Sequence, residues 1–123
     1  MQCQLIFYCD LDGVLTDFEG HLLQSLSSDT SRVDFPKFNS IDDIRRHLGA
    51  NWYKMTAGLP QSFWEFMPWL QDGKSLWNYL ESYPRIILST PANSRNSRIG
   101  KSRWVQRELG PDVSNIIQPY KAR

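Results

Sequence analysis

Long apolar runs, an excess of one charge and a framework of cysteines are all missing from this sequence, and each absence removes a class of protein. The first apolar stretch, Leu5 to Cys9, is too short for a signal peptide and has no basic leader, and no later run approaches membrane-spanning length. A cytoplasmic chain without membrane contact is therefore expected. Lys and Arg number 14 against 13 Asp and Glu, a formal net charge of +1. That balance lacks the basic footprint of a duplex nucleic-acid binder, so any phosphate the chain handles should be small. The two cysteines, Cys3 and Cys9, fall on one extended stretch that separates them by roughly 20 Å, too far for a disulfide. Both read as core residues of a reducing compartment. Internal repeats and low-complexity tracts are also missing.

What is present suits one domain: 123 residues, 41% hydrophobic and 22% charged, can bury a single core and leave no room for a second. Gln4 to Cys9 is a nearly unbroken apolar run of strand formers, the pattern of a central parallel strand covered on both faces. It ends in the turn signal Asp10-Leu-Asp-Gly13. Thr16 and Glu19 have the spacing of a capping box, which predicts a helix from about Asp17 to Ser27. Residues 29–39 are polar and broken by Pro36. Ile41 to Leu48 reads as a short helix opened by Ser40, and Trp52 to Trp69 is aromatic without a clean period. Leu76, Trp77 and Leu80 predict an amphipathic helix stopped near Pro84, and Arg85 to Leu88 a second buried strand. A helix from about Asn96 to Leu109, ended by Gly110, and a short strand from Asn115 to Gln118 complete the pattern. Strands alternating with helices predict the α/β class with an open parallel sheet, whose ligands sit at the carboxyl ends of the strands. The expected division is a core of residues 1–16 and 76–123 with a helical insert over roughly 17–75.

Asp10 and Asp12 stand where such a sheet binds ligands, directly after a strand and before a glycine. Asp-x-Asp-Gly is also ordinary turn chemistry. A calcium loop begins the same way, but Leu15, Asp17 and Phe18 do not continue its schedule of oxygen ligands. Ser89 and Thr90 end the other buried strand, so their hydroxyls should reach the same sheet edge; lone hydroxyls at a strand end are otherwise helix caps. Lys101 is the third element. On a helical wheel it lies about 40° from Val105 and about 60° from Trp104, the inward stripe, while Arg103 and Arg107 fall opposite. A lysine there either snorkels past the core or serves the mouth of the sheet, with Arg98 one turn earlier as a substitute.

These residues resemble a known family. Phe7-Tyr-Cys-Asp-Leu-Asp-Gly-Val-Leu15, Ile86-Ile-Leu-Ser-Thr-Pro91 and Gly100-Lys-Ser-Arg-Trp-Val105 with Leu109-Gly-Pro-Asp112 are similar to the first three signature motifs of the haloacid-dehalogenase (HAD) superfamily, most nearly its 5′(3′)-deoxyribonucleotidase branch. The resemblance implies a Rossmann-like core with an inserted helical cap, matched only loosely through Phe63-Trp64 and Pro68. It also implies a phosphatase. Asp10 would attack phosphorus, Asp12 would serve as general acid and then base, and Ser89, Thr90 and Lys101 would hold the phosphate. Mg²⁺ would bind Asp10 and the backbone carbonyl of Asp12. The implied substrate is a small phosphorylated compound, a pyrimidine deoxynucleoside monophosphate. Trp52, Phe63, Trp64 and Trp69 are candidates to stack its base, although aromatics in such a module are more often core.

The family's fourth motif, an acidic pair after a further strand, is not found, and Asp112 is the last carboxylate side chain. A truncated chain is therefore expected, with the edge of the first strand unpaired and either a homodimer or a completing chain to cover it. Two other classes compete. A degenerate HAD fragment would keep the phosphate pocket as a binding or interaction module. Ile99-Gly-Lys-Ser102 resembles the end of an ATPase phosphate-binding loop, but Arg95 occupies the position where that loop needs a glycine.

Overall fold

The computed structural model describes residues 5–27 and 38–118. Strand-forming residues at Phe7–Cys9 build β1, and Asp10 follows it directly. The helix that follows, α1 (Phe18–Ser27), starts differently from the expectation. One of its first free amide donors is met by Asp17, whose Oδ1 accepts from the amide of Gly20 at 3.0 Å. The hydroxyl of Thr16 is taken by Asp12, and the Glu19 carboxylate accepts from the amide of Ile41. The capping box is corrected: tertiary partners outcompete the local reciprocal pair. Ser40 opens α2 (Ile41–Leu48) as the spacing predicts, its Oγ accepting from the Asp43 amide. The irregular aromatic stretch resolves into two short helices, α3 (Asn51–Ala57) and α4 (Gln61–Glu65).

The chain returns to the sheet beside the point where it left. The amide of Asp17 donates to the carbonyl of Pro68, and the amide of Leu70 to that of Leu15. Next come α5 (Gly73–Tyr79), a 3₁₀ turn (Leu80–Ser82), β2 (Arg85–Ser89), α6 (Arg95–Glu108) and β3 (Asn115–Ile117). Gly73, Trp77 and Leu80 form the inner side of α5 and the turn, whereas Leu76, expected inside, is exposed. Gly110 follows α6 with φ 120°, a left-handed conformation that suits its place past the helix end.

The strands form an open, parallel three-stranded sheet in the order β1-β2-β3, with Cys9 opposite Ile87 and Ser89 opposite Ile117. This is the α/β class expected. Alternation divides the sheet: Cys9, Ile87, Ser89 and Ile117 are buried, while Tyr8 and Leu88 are 58% and 46% exposed. The expectation of a central strand covered on both faces is therefore corrected. Among the described residues β1 is an edge strand, and one sheet face carries the core. An unbroken apolar run cannot announce which of its faces is covered. Cys9 is buried; Cys3 lies outside the described residues, as do most of residues 29–39.

Sheet and inserted helices share one hydrophobic cluster, from Ile87, Trp104 and Val105 to Leu22, Ile44, Trp52, Phe63 and Trp64. The indole of Trp104 donates to the carbonyl of Met67 at 2.7 Å. Helix α4 lies hard against α6 at Gly100, where a Cβ would stand 2.6 Å from Cβ of Trp64. Only glycine permits that approach. Among the described residues no helix is long and apolar enough to cross a membrane.

Candidate active site

The loop after β1 is tied down by its apolar members, which leaves its acidic ones at the surface of the site. Leu11 and Leu15 are buried, and the Leu11 carbonyl accepts from the amides of Val14, Leu15 and Thr16. Gly13 makes the turn with φ 80°. Asp10 is exposed; its Oδ1 accepts from the Leu11 amide at 2.7 Å, and its other oxygen has no partner among the described residues.

Asp12 is held from two sides. Its Oδ1 accepts from Thr16 Oγ1 at 3.1 Å, and its Oδ2 accepts from Lys101 Nζ at 2.8 Å. Lys101 also donates to Ser89 Oγ at 2.8 Å and lies 5.4 Å from the centre of the Trp64 ring. The lysine side chain is 3% exposed and the Asp12 side chain 31%. A buried ammonium is costly without a partner, and this one has a carboxylate, a hydroxyl and an aromatic face. The inward stripe read from α6 is therefore observed: Lys101, Trp104 and Val105 are buried, Arg103 and Arg107 exposed. The ionic partner of Lys101 is Asp12, not the proposed nucleophile Asp10.

Helix α6 begins where the second motif ends. Ser94 caps it by accepting from the Ser97 amide, and buried Ser97 accepts in turn from the amide of Ala92. The link fixes residues 90–94 against the helix. Asp10, Asp12, Ser89 and Thr90, with Tyr8 and Leu88, line a single cavity of about 320 Å³. All five residues singled out in the sequence thus meet at one mouth, four in the lining and Lys101 bonded beneath. The Ile99–Ser102 run lies inside α6 rather than in a loop before a helix, which removes the ATPase-loop geometry.

A second cavity, of about 530 Å³, opens from the same point and shares Asp12 and Thr90. Phe18, Trp52 and Trp64 line it, with Arg45 and Arg98. Phe18 stacks on Trp64 at 5.7 Å between centroids. Of the four aromatics considered as base contacts, Trp52 and Trp64 belong to this wall. Phe63 instead stacks on His21, and Trp69 packs on Trp104 and donates to Glu108. Thr16 and Arg45 were not legible as site residues. Thr16 read as a helix cap, and Arg45 reaches the cavity only through the placement of α2.

The Asp10 carboxylate supplies a hard oxygen donor at the mouth, one that suits Mg²⁺ with most of its coordination left to water. Among the described residues no group of three or more His, Cys, Asp or Glu side chains converges as a metal site. In sequence comparisons no protein-family model and no curated protein matches this chain.

Proposed function

We propose that this chain is a phosphomonoester hydrolase that works through an aspartyl-phosphate, as its HAD-like motifs imply. Within that class, a nucleoside monophosphatase is the particular reading. The observation that carries it is the convergence of Asp10, Asp12, Ser89 and Thr90 on one cavity, with the buried Lys101 hydrogen-bonded to both Asp12 and Ser89.

The free oxygen of Asp10 attacks phosphorus while the bond to the leaving oxygen breaks, and Asp12, once it has taken up a proton from the bound phosphate monoanion, passes that proton to the leaving oxygen. Water then attacks the phosphorus of the aspartyl-phosphate, Asp12 takes its proton, and phosphate leaves with the Asp10 carboxylate restored. Thr16 and Lys101 hold Asp12 in place for both steps. Ser89 and Thr90 donate to the phosphoryl oxygens, and the charge of Lys101 offsets the approach of an anion to a carboxylate. The Asp10 carboxylate and the Asp12 carbonyl would hold Mg²⁺, which would further neutralise the phosphoryl charge.

The test is phosphate release from p-nitrophenyl phosphate with and without Mg²⁺. Wild-type chain should turn over and lose activity to a chelator. Asp10→Asn should abolish turnover with the circular dichroism spectrum and melting temperature unchanged. Turnover by Asp10→Asn at near-native rate sinks the mechanism. A second reading, a phosphate-binding module without catalysis, draws on the small number of carboxylates at the mouth. Phosphate binding by a wild-type chain that hydrolyses nothing at any Mg²⁺ concentration selects it.

A further inference from the structure

Asp12 stands at a junction: it lines the phosphate-sized cavity with Asp10 and Ser89, and it also lines the cavity of about 530 Å³. A phosphomonoester held at Asp10 would extend its leaving group past Asp12 into that second space. The wall there joins two chemistries. Phe18, Trp52 and Trp64 present aromatic surface, and Arg45 and Arg98 bring two guanidinium groups.

Charge accounting makes the arginines informative. The Asp12 carboxylate is already engaged by Lys101 and Thr16, and neither Arg45 nor Arg98 makes an ion pair among the described residues. Arg45 lies instead over the Trp52 ring, 4.9 Å from its centre. A solvated arginine needs no partner, and one alone would say nothing. Two of them converge on one aromatic-walled cavity beside the proposed general acid. Two cationic side chains thus border a space whose one carboxylate, Asp12, is already occupied.

We propose that the leaving group of the substrate carries a second phosphate as well as a planar ring, so that a nucleotide phosphorylated at two positions is preferred over its monophosphate. The inference rests on the phosphatase reading of Asp10. Guanidinium forks match phosphate oxygens in pairs of charge-assisted hydrogen bonds, and the apolar ring of a nucleobase suits a cavity bordered by Phe18, Trp52 and Trp64. Arg45 and Arg98 are then specificity-determining residues that hold the phosphate that is not cleaved.

The experiment compares thymidine 3′,5′-bisphosphate with thymidine 5′-monophosphate. The bisphosphate should show kcat/KM higher by about tenfold or more, the effect of one added charge-assisted interaction. The double variant Arg45→Gln/Arg98→Gln should bring the ratio of the two substrates close to one. Arg103→Gln, on the exposed face of α6, should keep the ratio. Equal use of the two nucleotides by wild-type chain overturns the proposal, as does a ratio that survives the double variant. A sugar bisphosphate used as well as the nucleoside bisphosphate overturns the role of the aromatic wall. The same nucleotides titrated by calorimetry into Asp10→Asn separate this idea from the phosphatase reading. A bisphosphate preference in binding without any turnover supports the pocket and removes the chemistry, whereas turnover of p-nitrophenyl phosphate without a preference does the reverse.

Discussion

The two faces of the three-stranded sheet have similar apolar residues and opposite fates. On one, Cys9, Ile87 and Ile117 are buried in the cluster that includes Trp104 and Val105; on the other, Tyr8 and Leu88 are largely exposed. The mouth of the site meets both faces, with Tyr8 and Leu88 in its lining, but its ionic anchor lies on the covered one. Ser89 is buried there, and Lys101 reaches it from the same helix that supplies Trp104 and Val105. Burial and chemistry therefore share one set of contacts, and a change that loosens α6 should cost both. On the open face Tyr8 and Leu88 border the mouth but add little buried area.

The largest test of that difference is to empty one position on each face. Trp104 is 1% exposed and donates to Met67, so Trp104→Ala should lower stability by about 3–5 kcal/mol in urea unfolding and reduce activity through displacement of Lys101. Leu88→Ala, 46% exposed, should change stability by no more than about 0.5 kcal/mol. Comparable losses from the two variants would mean that the open face is covered in solution.

A smaller effect is expected at Gly100, where α4 and α6 touch. An alanine Cβ would stand 2.6 Å from Trp64 Cβ and 2.8 Å from the Gln61 carbonyl, so the two helices must separate. Gly100→Ala should cost about 1–3 kcal/mol, the range of core overpacking. Because Trp64 also walls the larger cavity, KM for nucleotides should rise more than KM for p-nitrophenyl phosphate. Unfolding experiments and paired kinetics on one preparation read both effects, and an equal rise in the two KM values argues against Trp64 as a substrate contact.

The contrast between faces also explains what the sequence made legible. Asp10 and Asp12 could be found because a strand followed by Asp-x-Asp-Gly is a local pattern, and Lys101 because helical periodicity is local too. The assignment of Ser40 as a cap succeeded for the same reason. Thr16 failed that test: its hydroxyl answers Asp12 in the folded loop, and Asp17 takes over the cap. Which face of β1 is covered, and that Arg45 and Arg98 share a cavity, depend on how α2, α3 and α6 are arranged. Those are properties of packing between distant segments, which no short window of sequence contains.

The smallest expected effect concerns His21, on α1, away from both cavities of the site. Its ring stacks on Phe63 at 4.4 Å between centroids, and its Nε2 is buried without a partner among the described residues. Burial depresses its pKa below the ordinary 6.5, and this outweighs a backbone hydrogen bond to Phe63 and the charge of Asp17, which act the other way. The folded chain thus holds the imidazole neutral more firmly than the unfolded chain does. As pH falls through 6.5 the unfolded state takes up the proton first, so stability declines with acidity from that point until the folded group also titrates. Above 6.5 the contribution is fully present. Glu108 acts lower on the scale: hydrogen bonds from Trp69 and Arg107 depress its carboxyl below 4.5, so its contribution is lost only in stronger acid. His21→Phe keeps an aromatic ring against Phe63 and removes the titration. Its melting temperature should fall less than that of the wild type between about pH 7.5 and about pH 5.5. Parallel curves over that interval would show that the imidazole is as free to charge in the folded chain as in water.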